Sequence, residues 1–349
     1  MLISALLDRW KGRCASAPAC MIVAVVAAPA HAALAIQHWT TPEGARVYFV
    51  EARDIPMLDV AVDFPAGSAR DPERRPGLAH LAHGLLDQGA GGWSDEKIAH
   101  QLADVGAALG GRFDRDRAGV TLRTLSSPAE RDTALAVLAR VLHQPDYAAP
   151  VIQREKARLI AALREAEADP GDVADKAFYR VVYGQHPYAH DERGTAASIA
   201  GLTRQELLAF QRRHYSAANA VIALMGDASR AEAEAIAAKL AAGLPRGPVL
   251  PEIPAPQPGK PVVERIAHPS SQSHVLIGAV GMSRADPDFF PLFVGNYVLG
   301  GGGFDSRLMR EVRDKRGYAY SAYSYFLPMG VAGPFQLGLQ TKQAQTEDA

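Results

Sequence analysis

The chain has 349 residues, 48% of them hydrophobic, with a formal net charge of -1. That is material for about two domains with buried cores. The 37 basic residues nearly balance 38 acidic ones, which leaves no basic footprint for nucleic acid and no acidic tail.

The amino-terminal stretch differs from the rest. Arg9, Lys11 and Arg13 precede the apolar run PACMIVAVVAAP, and Ala30, His31 and Ala32 supply small residues suited to cleavage. This pattern predicts a secretory signal over residues 1–32. The run is shorter than the roughly 20 residues needed to span a bilayer, so no stable membrane insertion is expected. Both cysteines, Cys14 and Cys20, lie in the signal, so the exported chain would have neither a disulfide nor a thiol nucleophile. The expected location is the bacterial periplasm or the exterior.

Next come ARVYFVEA and MLDVAVDF, which read as neighbouring strands, the second setting polar Asp59 and Asp63 among apolar residues. Helical periodicity follows over residues 77–87, 94–105, 129–144 and 150–167. SIAGLTRQELLAFQRRH, a strand NAVIALMG and an alanine- and glutamate-rich helix over 229–242 complete a first domain, 33–244. Thr203 and Glu206 are spaced as a capping box. Residues 245–262 are rich in proline, which fixes φ and lacks an amide donor, so this segment reads as a stiff linker.

Beyond the linker the pattern restarts. FPAGSARDPE before the first helix is echoed by AVGMSRADPD before FFPLFVGNYVLG. The echo predicts an internal duplication. Residues 263–349 would be a truncated second copy, since QTKQAQTEDA ends where another helix would begin.

His80 and His83 stand three apart in PGLAHLAHGLLDQG. Zinc held from one helix needs ligands on a shared face, and a hydrolytic zinc also needs a carboxylate near its water. The segment FPAGSARDPERRPGLAHLAHGLL resembles the region around the inverted zinc motif, H-x-x-E-H, of the pitrilysin/insulinase family of zinc metallopeptidases, in its processing-peptidase branch. Gly77, Leu78, Ala79 and His80 match the start of the motif. His83 then falls on the general-base glutamate and Gly84 on the second ligand. The family's third ligand is a glutamate in a run resembling R-E-x-x-x-x-x-x-E. Arg154 and Glu155 match its beginning, and the ligand position falls on Ala162. Of three ligands and one base, His80 alone is kept. His80 and His83 remain as residual donors that Glu155 or His186 could approach; the plainer reading is a packed, hydrogen-bonded pair. The resemblance therefore implies no cofactor in this chain and zinc on a partner.

The resemblance continues through YGQHPYAHDERGTAASIAGLTRQELLAFQRRHYSAANAVIALMGD, where Gly194 with Thr195, Ser198 with Ile199, and Gly226 with Asp227 fall as the family places them. NYVLGGGGFDSRLMREVRDKRGYAYSAYS resembles the family's other signature. There an arginine and a tyrosine seven residues later hold the substrate carbonyl, and they map to Arg313 and Tyr320. The plain alternatives are a solvated helix end and a half-buried strand residue. The glycine run LGGGGF lacks the G-K-[ST] of a phosphate loop. It is either a turn between helices or, by resemblance to the glycine-rich loop of a noncatalytic processing-peptidase subunit, a substrate contact through Gly301 and Gly302.

What the resemblance implies is an α+β fold: a duplicated domain of antiparallel sheet with helices packed on one face, the metallopeptidase αβ roll. It also implies a noncatalytic subunit, inactive alone, that pairs with a zinc-bearing homologous peptidase subunit, completes its chamber and helps bind an extended peptide substrate. Two other readings stay open: an active zinc metalloendopeptidase with an irregular metal site, and a structural subunit with no peptidase role.

Overall fold

Leu58, Val60, Val62 and Phe64 are buried along one side of strand β3 (Met57–Phe64), while Asp59 and Asp63 face the other way. This period of two makes one sheet face a core face and the other a polar face. The computed structural model describes residues 35–349; the signal expected over 1–32 lies outside the described residues.

With β3 stand β1 (Gln37–Thr40), β2 (Arg46–Glu51), β4 (Ala108–Phe113), β5 (Ala118–Leu125) and β6 (Val221–Gly226), in the order β1-β2-β6-β3-β5-β4. Every pairing is antiparallel except β2 with β6, which is parallel. The expectation that β2 and β3 are neighbours is therefore corrected, because β6 lies between them. Alternation fixes which face of a strand is buried, and says nothing of which strand lies alongside. On the polar face Asp59 accepts two hydrogen bonds from Arg123, at 2.7 and 2.9 Å.

The helices gather over the apolar face, except the fifth, which packs on a second sheet formed later in the chain. They are α1 (Leu78–Gly84), α2 (Asp95–Ala103), α3 (Pro128–His143), α4 (Ala149–Ala166), α5 (Pro170–Tyr183), α6 (Ala196–Gly201), α7 (Arg204–His214) and α8 (Arg230–Ala242). α1, α3 and α8 touch the sheet, α7 covers α1, and α6 packs on α4. The capping box is formed: Thr203 and Glu206 satisfy each other's backbone amides at the start of α7. α1 stops at Gly84, short of the expected residue 87, and Asp71 caps its start by accepting from the amides of Gly77 and Ala79, both at 2.7 Å.

Residues 245–262 form neither helix nor strand. Their carbonyls are instead held by side chains of the first copy. Arg70 donates to the carbonyl of Pro251 and Asn219 to that of Pro248.

Then β7 (Gln272–Val280), α9 (Phe289–Asn296), β8 (Ala319–Phe326) and β9 (Pro334–Lys342) follow. The second sheet runs β7-β9-β8, all antiparallel, the order and sense of β3-β5-β4. α9 follows β7 as α1 follows β3. The duplication is thus a repeated topology as well as a repeated phrase. The two copies join through the rings of Phe178, Tyr179, Tyr183 and Tyr188, packed with Leu276, Val280 and Val331. Asp116, in the β4–β5 turn, accepts from the Tyr188 hydroxyl and from the amide of Gly330 in the β8–β9 turn.

Candidate functional site

The helix α1 carries His80 and His83 toward strand β4. Phe113 of that strand meets His80 edge-on, with ring centroids 5.1 Å apart, and stacks on His83 at 5.6 Å. His83 Nε2 lies against the backbone of Gly111, 2.8 Å from where a β-carbon on that residue would sit. Its Nδ1 is buried without a hydrogen-bond partner. Burial, aided by the neighbouring charge of His80, holds the His83 pKa down to about 4. Burial also lowers the His80 pKa, against the pull of Asp191. Both imidazoles are therefore neutral at pH 7.

The lost ligand positions are Gly84, on the same helix, and Ala162, on α4. Gly84 faces open space, with no atom within 4 Å of a would-be β-carbon. Ala162 is exposed on α4. Arg158 stands one turn before it on the same face and is near enough to act on His80. The two helpers are engaged elsewhere. Glu155 pairs with Arg154 at 3.2 Å and Arg158 at 2.7 Å, and His186 Nε2 meets the carbonyl of Pro254 at 2.8 Å. Among the described residues no three His, Cys, Asp or Glu side chains gather as a metal site. A hydrolytic zinc needs three ligands and a base. Two imidazoles, one turned into β4 and both without a carboxylate in the base position, do not fit it.

The second signature comes together. Met309–Asp314 winds as a π-helix, a wide turn that re-aims its side chains. The guanidinium carbon of Arg313 lies 5.3 Å from the ring centroid of Tyr320. Tyr320 is 82% exposed, so it is no core residue. It lines a cavity of ≈ 520 Å³ between α5 and the second sheet, beside Asp175, His274 and Gln336. The glycine run is wound rather than loose: Tyr297–Gly301 continues α9 as a π-helical turn and Gly303–Asp305 is a 3-10 turn. Gly301 is exposed and Gly302 half-buried. Sequence reading overlooked Phe304, whose ring lies 4.7 Å from the Arg313 guanidinium, and Asp191, paired with Arg193 and Lys176 near His80. The DER motif around Asp191 and Arg193 was a usable signal; for Phe304 there was none beyond its place after the glycines.

Comparison with known proteins places these features. The family described as "Insulinase (Peptidase family M16)" matches residues 47–195, and "Peptidase M16 inactive domain" matches residues 201–349. The crystal structure of a peptidase M16 inactive domain from Pseudomonas fluorescens is 42% identical, with a TM-score of 0.88 over 90% of this chain and 76% of that one. An uncharacterized zinc protease of Streptomyces coelicolor is 26% identical over 323 residues, 90% of this chain and 69% of the relative. A protease structure from Helicobacter pylori shares the fold at 18% identity, with a TM-score of 0.79 over 90% of this chain and 78% of that one. Two family matches that together run through both copies, and a solved relative of the same fold, show that the chain is a peptidase-like protein of the insulinase family, peptidase family M16.

Proposed function

We propose that this chain is the noncatalytic subunit of a periplasmic or secreted zinc peptidase, and that it works beside a zinc-bearing homologous subunit. One observation carries the reading: the arginine and tyrosine of the second signature stand together, while the positions that would hold zinc carry His83, Gly84 and Ala162. His83 is stacked on Phe113 with its Nε2 turned against the backbone of Gly111, so it is not aimed at a zinc-bound water as the glutamate base would be.

In this role Arg313 and Tyr320 address a peptide carbonyl at the partner's site. Donors placed where negative charge develops lower the barrier to acyl transfer. The glycine run, through Gly301 and Gly302, and the cavity beside Tyr320 hold the rest of an extended peptide. Strand β4 closes one edge of the first sheet, and its outer backbone groups suit β-addition of such a peptide. A purely structural subunit would have no use for an exposed arginine-tyrosine pair.

Size-exclusion chromatography with a zinc-bearing member of the same family tests the pairing. Co-elution together with gain of peptide hydrolysis supports it; separate elution at micromolar concentrations overturns it.

A further inference from the structure

Phe304 closes the glycine run with a ring that is 64% exposed. Its surroundings explain why a phenylalanine stands there. The Arg313 guanidinium carbon is 4.7 Å from the Phe304 centroid and 5.3 Å from that of Tyr320, both within the reach of about 6 Å over which a cation is drawn to a ring face. The ion pair from Arg313 to Asp314 spans 3.9 Å, too long for a hydrogen bond. Two rings thus set the direction of a side chain that would otherwise sample many rotamers. They do so without occupying any of its five N–H donors.

The backbone before Phe304 is built for this delivery. Asn296 donates to the carbonyl of Ser324 at 3.0 Å and accepts from its hydroxyl at 2.7 Å, which fixes the end of α9 to strand β8. Gly300 lies so close to the Ser324 backbone and the Leu308 side chain that no β-carbon would fit. Gly303 then turns the chain at φ +61, a left-handed conformation in open space, where glycine alone pays no steric penalty. The chain therefore reverses and brings Phe304 back over the π-helix that carries Arg313.

We propose that Phe304 is a positioning residue: it holds the Arg313 guanidinium beside Tyr320 with its donors directed outward, and the glycine run serves to place that ring. The proposal rests on the supporting role assigned above to Arg313 and Tyr320.

Two measurements test it and separate its failure from failure of that role. In the free chain labelled with 15N-arginine, the Arg313 Nε–H resonance carries the ring-current shift of its aromatic neighbours. Phe304→Leu should remove the Phe304 share of that shift and Phe304→Tyr should keep it, with thermal melts of both variants confirming the fold. In a mixture with a zinc-bearing family member, turnover of a fluorogenic peptide library should fall in kcat for Phe304→Leu. The loss should be between roughly twofold and thirtyfold, the rate equivalent of one cation–π contact. KM should stay within about twofold, as for a contact that serves the transition state, and Phe304→Tyr should recover the rate. An unmoved resonance in Phe304→Leu overturns the proposal, as does a wild-type kcat for Phe304→Leu when Arg313→Ala is impaired. If Arg313→Ala itself turns over at the wild-type rate, the supporting role fails and Phe304 has nothing to position.

Discussion

The imidazole of His83 lies over the ring of Phe113, 5.6 Å between centroids and 22° from parallel. Burial there holds its pKa down to about 4, whereas in the unfolded chain it returns to about 6.5. Between those values the unfolded state binds more protons, so this residue makes stability fall as pH drops from about 6.5 to 4. His83→Leu should flatten that fall. At pH 7.5 it should cost little, since Nδ1 has no partner to lose. Urea midpoints at pH 7.5 and pH 5 check this; equal losses in wild type and variant would contradict it.

Metal content follows from the same helix. Purified protein should lack stoichiometric zinc after dialysis, and the combined change His83→Glu, Gly84→His and Ala162→Glu should confer it. Space is open at Gly84, and Ala162 shares a helix face with Arg158, whose charge reaches His80. Elemental analysis decides. Zinc retained by wild type and lost on His80→Ala would overturn the reading of the site, and a rebuilt chain that folds without binding zinc would show that the positions do not converge.

The join between the two copies should be sensitive to Asp116. Asp116→Ala leaves the buried Tyr188 hydroxyl without its acceptor and frees the Gly330 amide. A cost of about 1–3 kcal/mol is expected, read as a lower urea midpoint with an unchanged slope. No change would mean that the two turns are held together by the aromatic cluster alone.

Much of this architecture was legible in the chain. MLDVAVDF announced a strand with one buried face, and Thr203 with Glu206 announced the start of α7. The order of strands was not, because β6 arrives from far along the sequence to separate β2 from β3, and no local pattern encodes a partner that distant. Helix α5 passed unread although Asp169 and Pro170 form an N-cap followed by proline at the first helical position, a recognised start signal. At the site, the resemblance to the family's second signature pointed to Arg313 and Tyr320 as a pair, and their side chains lie side by side. The contact from Phe304 depends on the left-handed turn at Gly303 and on a π-helix, and neither leaves a periodic trace.

The most direct measurement is peptide turnover by this chain, by a zinc-bearing family member, and by their equimolar mixture, each with wild-type, Arg313→Ala and Tyr320→Phe versions of this chain. The account predicts no hydrolysis by this chain alone and a mixture faster than the zinc-bearing subunit alone. It also predicts a loss of roughly ten- to a thousandfold in the mixture for either variant, the range for removing one donor to a developing oxyanion, with assembly intact. Hydrolysis by this chain alone that disappears on His80→Ala, or a mixture whose rate is the same for wild type and both variants, would contradict it.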